Sequence, residues 1–410
     1  MIPAILHENR PFRIYFAGQA ISLVGDQISD IAVPLVGVLV LHASPAEMGY
    51  LTTAVLLPNL LFSLHAGALV DRRGSRRQTM IVADLARAAL LATIPVAYAF
   101  DALTFAQLYA AGFLFGSFSV LFNVSSSTLF ISLVPRDQYV EANALENGSR
   151  AASFVGGPSL GGLLVQLLSA PVALIADAAS FVVSAFSLAR IRPVEPEVEQ
   201  VERGHLTAGL RYVLGSPIVR AGLAATTTIN LFNFMFFALF ILYVNRYLHV
   251  SPGVLGVVLG TGALGGVLGA FLTGRIVRRI GVGPALIAGC VLFPVPLVLV
   301  PLAGGPRWLV LACLFLAEFG SGFGVMLLDI SFGSISAALV PHRLRARVSG
   351  SFNFVNYGVR PVGAFAGGLL GSAIGVRETL WIAVVGAIAG FLFLLPSPFP
   401  AMRELPEPDV

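Results

Sequence analysis

The chain has 410 residues, of which 57% are hydrophobic and only 11% charged, with a mean hydropathy of +0.87. Soluble domains average roughly a quarter charged residues, so no water-soluble fold could bury this much apolar surface. The formal net charge of +4 comes from arginine without any lysine, and the arginines stand at the ends of apolar stretches rather than in a nucleic-acid-binding patch.

The opening segment, Met1 to Arg13, lacks the apolar core and small-residue cleavage site of a secretory leader. Arg10 and Arg13 directly precede the first apolar stretch, which is therefore expected to stay attached. Hydropathy and turn signals predict twelve transmembrane helices near 12–41, 47–70, 78–100, 104–134, 139–168, 171–191, 217–246, 252–274, 282–303, 308–340, 346–373 and 378–397. Those longer than about 20 residues must tilt or project beyond the bilayer. The sole long connection, from Pro193 to about Ser216, carries Glu195, Glu197, Glu199 and Glu202, then a short amphipathic stretch around Leu206 to Leu214. The fold expected is an all-α membrane protein of two pseudo-symmetric six-helix bundles, 1–192 and 217–410, joined by a cytoplasmic linker at 193–216.

Arginine sorting sets the orientation. Arg72, Arg73, Arg76, Arg77, Arg136, Arg190, Arg192, Arg203, Arg275, Arg278, Arg279, Arg343, Arg345 and Arg347 all fall on one side of the twelve-helix arrangement, against Arg246, Arg307 and Arg377 on the other. The positive-inside rule then places both termini in the cytoplasm and the chain in the inner membrane. Cys290 and Cys313 lie inside predicted spans and read as small packing residues, not as a disulfide or metal site.

An internal repeat supports the division. Leu133-Val134-Pro135 recurs as Leu339-Val340-Pro341, and at the same offset Gly161-Gly162-Leu163-Leu164 recurs as Gly367-Gly368-Leu369-Leu370. Gly67, Asp71-Arg72 and Gly74 align, one residue out of phase, with Gly274, Arg278-Arg279 and Gly281. Matches in the same order, half a chain apart, argue for duplication. Two similar bundles are the architecture of many secondary transporters, with the substrate site near mid-membrane.

Two motifs carry mechanism. The loop after the second span reads Gly67-Ala68-Leu69-Val70-Asp71-Arg72-Arg73-Gly74-Ser75-Arg76-Arg77. It resembles the cytoplasmic signature of the major facilitator superfamily, in which Gly67 lets two helix ends approach and Asp71 accepts from the positive end of a neighbouring helix, latching that side closed. A positively charged turn obeying the topology rule would explain the arginines, but not Asp71 or the glycine spacing. In the fifth span, Gly157-Pro158-Ser159-Leu160-Gly161-Gly162 resembles the antiporter signature of drug exporters in the same superfamily. Its proline removes a backbone donor and its glycines open a smooth face, so the helix can bend and pack closely. Gly18-Gln19, Ser22 and Gly25-Asp26 in the first span, with Asp84 and Arg87 in the third, are similar to the branch containing macrolide and siderophore exporters. The second-half copy of the cytoplasmic motif departs from the pattern, with Arg278 where the first half has Asp71.

Ionisable residues at membrane depth each cost roughly 2.5–3.5 kcal/mol on insertion scales, which makes them functional candidates. Asp26 and Asp30 stand one turn apart on one face of the first helix, so both can line a cavity; Asp26, with Asp30 as partner, is the candidate carrier of a coupling proton. A structural pair is the plain alternative. Glu318 and Asp329 in the tenth span are second candidates, Asp329 occupying the repeat position of Asn123. Arg360 needs a carboxylate from another helix, with Asp329 or Glu318 in view. Glu146 and Arg150, four residues apart, read as a structural charge pair. Asn230 and Asn233 lie beside Phe232, Phe236 and Phe240, which form either an aromatic pocket wall or ordinary packing. His65 reads as a packing residue.

Together these residues and the resemblance, which implies the outward direction, predict a secondary active exporter of a small amphipathic molecule, exchanging it for protons by alternating access. Its partners would be the substrate, protons and the lipid bilayer; it would act as a monomer, bind no nucleic acid, and need no cofactor or metal. An importer or symporter of the same fold, or an exporter of a siderophore or other endogenous metabolite, remains a competing reading. An enzyme is the least supported class, because neither clustered metal ligands nor a nucleophile with its base is in view.

Overall fold

The structure, a computed structural model, describes residues 3–73, 75–193, 206–341 and 344–406; the side chains of Ala4, 63–73, 206–210 and Ala346 fall outside that description. Every regular element among the described residues is a helix. In the first half these are α1 (Ala4–Glu8), α2 (Arg10–Leu35, continued by a π turn over Val36–Val40), α3 (Pro45–Arg73), α4 (Arg76–Ala99), α5 (Phe105–Leu133), α6 (Tyr139–Leu168) and α7 (Ala170–Arg190). The second half has α8 (Leu206–Gly215), α9 (Pro217–Leu242), α10 (Pro252–Ile280), α11 (Val282–Leu292), α12 (Leu299–Leu302), α13 (Arg307–Leu339), α14 (Arg345–Ile374) and α15 (Val376–Ala389).

Ten spans among the described residues are long and apolar enough to cross a membrane, and α3 and α14 are two further helices of 29 and 30 residues. Most predicted spans coincide with one helix to within a few residues, but α10 runs on to Ile280. The span at 282–303 breaks after Leu292 into a 3-10 turn over Val295–Val298 and then α12, where Pro294 and Pro296 lack backbone donors, and α15 passes at Gly390 into a 3-10 turn that ends at Leu394. Local chemistry sets the boundaries. The side chains of Asn9, Ser75 and Thr104 accept from the backbone N–H of Phe12, Gln78 and Gln107, capping α2, α4 and α5. Gly281 and Gly375 adopt φ of 96° and 106° at the starts of α11 and α15, a conformation glycine adopts without strain. The amphipathic stretch expected in the linker is helix α8; residues 194–205 lie outside the described set.

The chain forms two compact units. The first comprises Met1–Ala43, Ala54–Gln200 and Val250–Gly260; the second comprises Ser44–Thr53, Val201–His249 and Thr261–Val410. Thus α3 gives its first turns to the second unit and α10 gives its first turns to the first. The core of the first unit packs Phe12, Tyr15, Met80, Phe122, Leu129 and Leu188. In the second, Ile229, Leu286, Cys290 and Phe399 form one cluster, and Val213 of α8 joins Val219, Leu339 and Val348 in another. Large apolar side chains also face outward, including Phe271 at 73% and Trp308 at 70% exposure. Such a surface is costly in water and suits a hydrocarbon solvent.

Candidate functional site

In the first unit α2 and α7 meet along a seam of small residues. Gly18, Ser22, Gly25 and Ser29 fall on one buried stripe of α2, because a helix returns to the same face every three to four residues. A Cβ on Gly18 would lie 2.7 Å from Ser187 Cβ, and one on Gly25 would run into Ser180 and Asp177. Gln19 donates from Nε2 to Ser184 Oγ at 3.1 Å across the same seam. Close backbone approach of this kind is how membrane helices associate where burial of apolar surface supplies no drive.

Two carboxyls enter that seam. Asp177 on α7 is fully buried: Ser29 donates to its Oδ2, and Ser180 donates to its Oδ1 at 2.9 Å. Asp84, on α4 and also fully buried, is ion-paired through Oδ1 with the guanidinium of Arg87 one turn on. Arg87 is itself buried between rings, its Cζ 4.1 Å from the Phe181 centroid and 4.4 Å from that of Phe122. Aromatic faces attract a cation and replace part of the hydration it has lost. Among the described residues, Arg87 Nε and Asp84 Oδ2 nevertheless have no partner within hydrogen-bond distance.

Asp26, half-buried on α2, lies within electrostatic reach of Arg87 and Arg150. Asp30, one turn further, is exposed and accepts from Gln27 Nε2 at 3.2 Å. Beside this network Tyr15, Gln19, Ser126, Glu146, Ser149 and Arg150 line a partly open cavity of about 50 Å³, room for a few waters. The Tyr15 hydroxyl lies 2.9 Å from Ser126 Oγ, and Glu146 stands close enough to interact with it. Arg150 acts on Glu146 electrostatically, and no ion pair within 4.0 Å joins them among the described residues.

The second unit holds a separate polar cluster. Arg360 on α14 donates from Nε to Asn230 Oδ1 at 3.0 Å, and Asn230 Nδ2 donates to Asn356 Oδ1 at 2.9 Å. The guanidinium carbon lies 4.0 Å from the Tyr357 ring centroid and 4.8 Å from that of Phe234. The carboxylate felt by Arg360 is Asp329 on α13, which is exposed and makes no ion pair with it within 4.0 Å among the described residues. Glu318 is half-buried on the same helix, facing Gly262 of α10, where an added Cβ would lie 3.2 Å from Oε2. Asn233 is half-buried and Asn123 exposed. The phenylalanine stripe packs inward: Phe236 and Phe240 are buried and stacked at 5.6 Å, and Phe232 meets Gly386 of α15.

The Gly157 to Gly162 element proves to be a two-sided seam in the first unit. A Cβ on Gly157 would lie 2.5 Å from Gln27 Cβ, and one on Gly161 would lie 3.0 Å from Ile28 Cα, both on α2. On the other side Pro158 and Gly162 face α10, with the Gly162 Cβ position 3.0 Å from Gly256 Cα. The repeat recreates this arrangement in the second unit. Gly367 packs on Met235 of α9, and the Gly368 Cβ position lies 2.7 Å from Gly49 Cα of α3.

The sequence profile described as Major Facilitator Superfamily matches residues 15–364. The chain belongs to this superfamily. Among its relatives, the multidrug efflux pump Tap of Mycolicibacterium fortuitum is 27% identical over 402 residues, 93% of each chain. Tap of Mycobacterium tuberculosis (strain ATCC 25618 / H37Rv) is 26% identical, over 97% of this chain and 96% of the relative. Among solved structures, an inward-facing bacterial homologue of the iron transporter ferroportin superposes with a TM-score of 0.77 at 18% identity, covering 94% of this chain and 98% of that one. The nucleoside transporter NupG reaches the same TM-score at 12% identity, covering 95% and 99%. At such identities the structural likeness speaks for the fold. The protein is a multi-pass membrane transporter of the major facilitator type.

Of the superfamily's cytoplasmic motif, the side chains of Gly67, Asp71 and Arg72, like that of His65, and the whole of Gly74 lie outside the described residues. Arg76 is buried, and Arg77 donates from Nε to Leu188 O and from Nη2 to Ala189 O, both at 2.7 Å. Arg77 therefore ties the start of α4 to the terminal carbonyls of α7, where the helix dipole favours a cation. Sequence reasoning singled out Asp84 and Arg87 but passed over Asp177. The signal was available: Asp177 is a lone acid in the apolar run Pro171 to Val183, the same signature that marked Glu318.

Proposed function

We propose that this transporter is an exporter of small amphipathic molecules, drugs or macrolides among them, driven by exchange for protons in a cycle of alternating access. The full-length similarity to two multidrug efflux pumps supports the direction of transport. The observation that carries the proton exchange is the placement of Asp26, half-buried in α2 within electrostatic reach of Arg87 and Arg150. A proton arriving from outside neutralises Asp26; its release on the cytoplasmic side restores a carboxylate that competes for those cations. The arginine bias supports cytoplasmic termini, and the inner membrane is where an exporter driven by the proton gradient would act. Arg360, whose terminal nitrogens make no hydrogen bond among the described residues, supplies the second unit with a cation flanked by aromatic rings.

At 100 mV one charge is worth about 2.3 kcal/mol, enough for a roughly fiftyfold substrate gradient. Ethidium and erythromycin accumulation in a pump-deficient host tests the reading. Cells expressing the native chain should hold both probes below passive levels until a protonophore is added. Asp26→Asn should bring accumulation to the passive level while the protein remains in the membrane. Export by Asp26→Asn with undiminished dependence on the pH gradient would remove Asp26 from the coupling step, and inward accumulation of the probes would favour a symporter.

A further inference from the structure

One acid in the first unit has no place in that cycle. Asp177 sits fully buried in α7, and both of its carboxyl oxygens are served by serine hydroxyls, from Ser29 on α2 and Ser180 on its own helix. Neither partner carries charge. A serine hydroxyl donates and accepts equally well, so each suits an ionised Asp177, to which it donates, and a protonated Asp177, from which it can accept. The α2 backbone makes room for this carboxyl at Gly25, where a side chain would collide with it.

The charged groups on the helices packed against α7 complete the picture. From α2 comes Asp26, with Asp30 acting on Asp26; from α4 come Asp84 and Arg87; from α6 come Arg150, which acts on Asp26, and Glu146, turned toward Tyr15. Three acids thus share Arg87, and Asp84 already holds its direct ion pair. Full ionisation would leave surplus negative charge inside a membrane protein, the situation such interiors avoid by neutralising an acid. A second observation agrees. Among the described residues Asp84 Oδ2 is buried with no donor within hydrogen-bond distance, and Ser184 and Arg87 are the donors that bear on this carboxyl, so the cluster solvates its negative charge poorly.

We propose that the Asp26, Asp84 and Asp177 cluster around Arg87 binds a proton, with Asp177 as the residue that holds it in the resting transporter. This deepens the proton-exchange reading and rests on it: Asp177 is the interior store with which Asp26 equilibrates. Proton transfer conserves the count, since the proton leaves the Asp177 carboxyl as its O–H bond breaks and Asp26 gains it, with Arg87 remaining charged throughout.

Infrared difference spectroscopy of the full-length protein in liposomes tests this without a substrate. At neutral pH the native chain should show the C=O stretch of a protonated carboxylic acid, moving to lower frequency in D2O. Asp177→Asn keeps the side-chain size, its Oδ1 accepting from one serine while its Nδ2 donates to the other, whose hydroxyl turns to accept, so it should fold with the native melting temperature and lose that band. Asp26→Asn and Asp84→Asn should shift the band rather than abolish it. A native protein without the band, or an Asp177→Asn protein that retains it unchanged, overturns the assignment. Ethidium export is read in parallel. Native export indifferent to the pH gradient defeats the exchange reading, whereas a gradient-dependent native protein whose band survives Asp177→Asn defeats the Asp177 assignment alone.

Discussion

Replacing Arg87 with methionine should destabilise the protein by about 3–5 kcal/mol, the cost of stranding one member of a buried ion pair. Asp84 has no exposed surface and Arg87 is its only ion-pair partner among the described residues. The same substitution removes the cation held over Phe122 and Phe181, contacts worth about 0.5–2 kcal/mol. The double variant Asp84→Leu with Arg87→Met should recover most of the loss, because two apolar side chains of similar volume need neither solvation nor each other's charge. Unfolding of each purified variant in detergent, followed by circular dichroism against denaturant, compares them. If the single change is as mild as the double, the network is not a desolvated ion pair and the charge count used for Asp177 loses its footing.

The second large effect lies at Gly256, whose nearest neighbours are backbone atoms. Gly256→Leu should abolish ethidium export and lower stability by about 1–3 kcal/mol or more, the range for overpacking a closely packed contact. A Cβ there would run into the carbonyl of Pro158, and Gly162 Cα lies only 3.1 Å from that position. These are backbone atoms, which cannot rotate aside as a side chain would. Gly156→Leu is the matched control: it lies on α6 one residue before the Gly157 to Gly162 element, yet a Cβ there meets nothing within 4 Å. Size-exclusion profiles and accumulation assays on the two variants should diverge sharply. Equal tolerance at both positions would mean that the α6 and α10 backbones do not approach this closely in the working protein.

The glycine contacts also explain why the repeat survives in sequence at those points. Gly161-Gly162 and Gly367-Gly368 each place one glycine against the first helix of their own half and the other against a crossing helix, with Gly256 and Gly49 as partners. A pair of adjacent glycines presents two smooth faces about 100° apart on a helix, and two neighbours at that angle require both. The sequence pattern showed the recurrence; that α10 and α3 supply the opposing backbones emerges only from the packing.

Much of the architecture was legible because a bilayer imposes it. Backbone groups in hydrocarbon must be satisfied within a helix, so length and hydropathy alone placed the spans to within a few residues at most ends. Gly18, Gln19, Ser22, Gly25 and Asp26 stood out through their resemblance to an exporter branch, and helical periodicity puts most of them on one face. What periodicity cannot supply is the partner across the seam. Asp177 and Asp84 are about ninety residues apart in the chain, and only the packing of α4 and α7 against α2 brings them around Arg87. Arg360 shows the same limit from the other side. Charge logic demanded a carboxylate, but the fold answered with Asn230 and two aromatic rings, because desolvation of a guanidinium is met by any well-placed acceptor or π face. Hydrophobicity along one chain thus determines where helices lie, whereas the meeting of distant polar groups depends on how those helices pack.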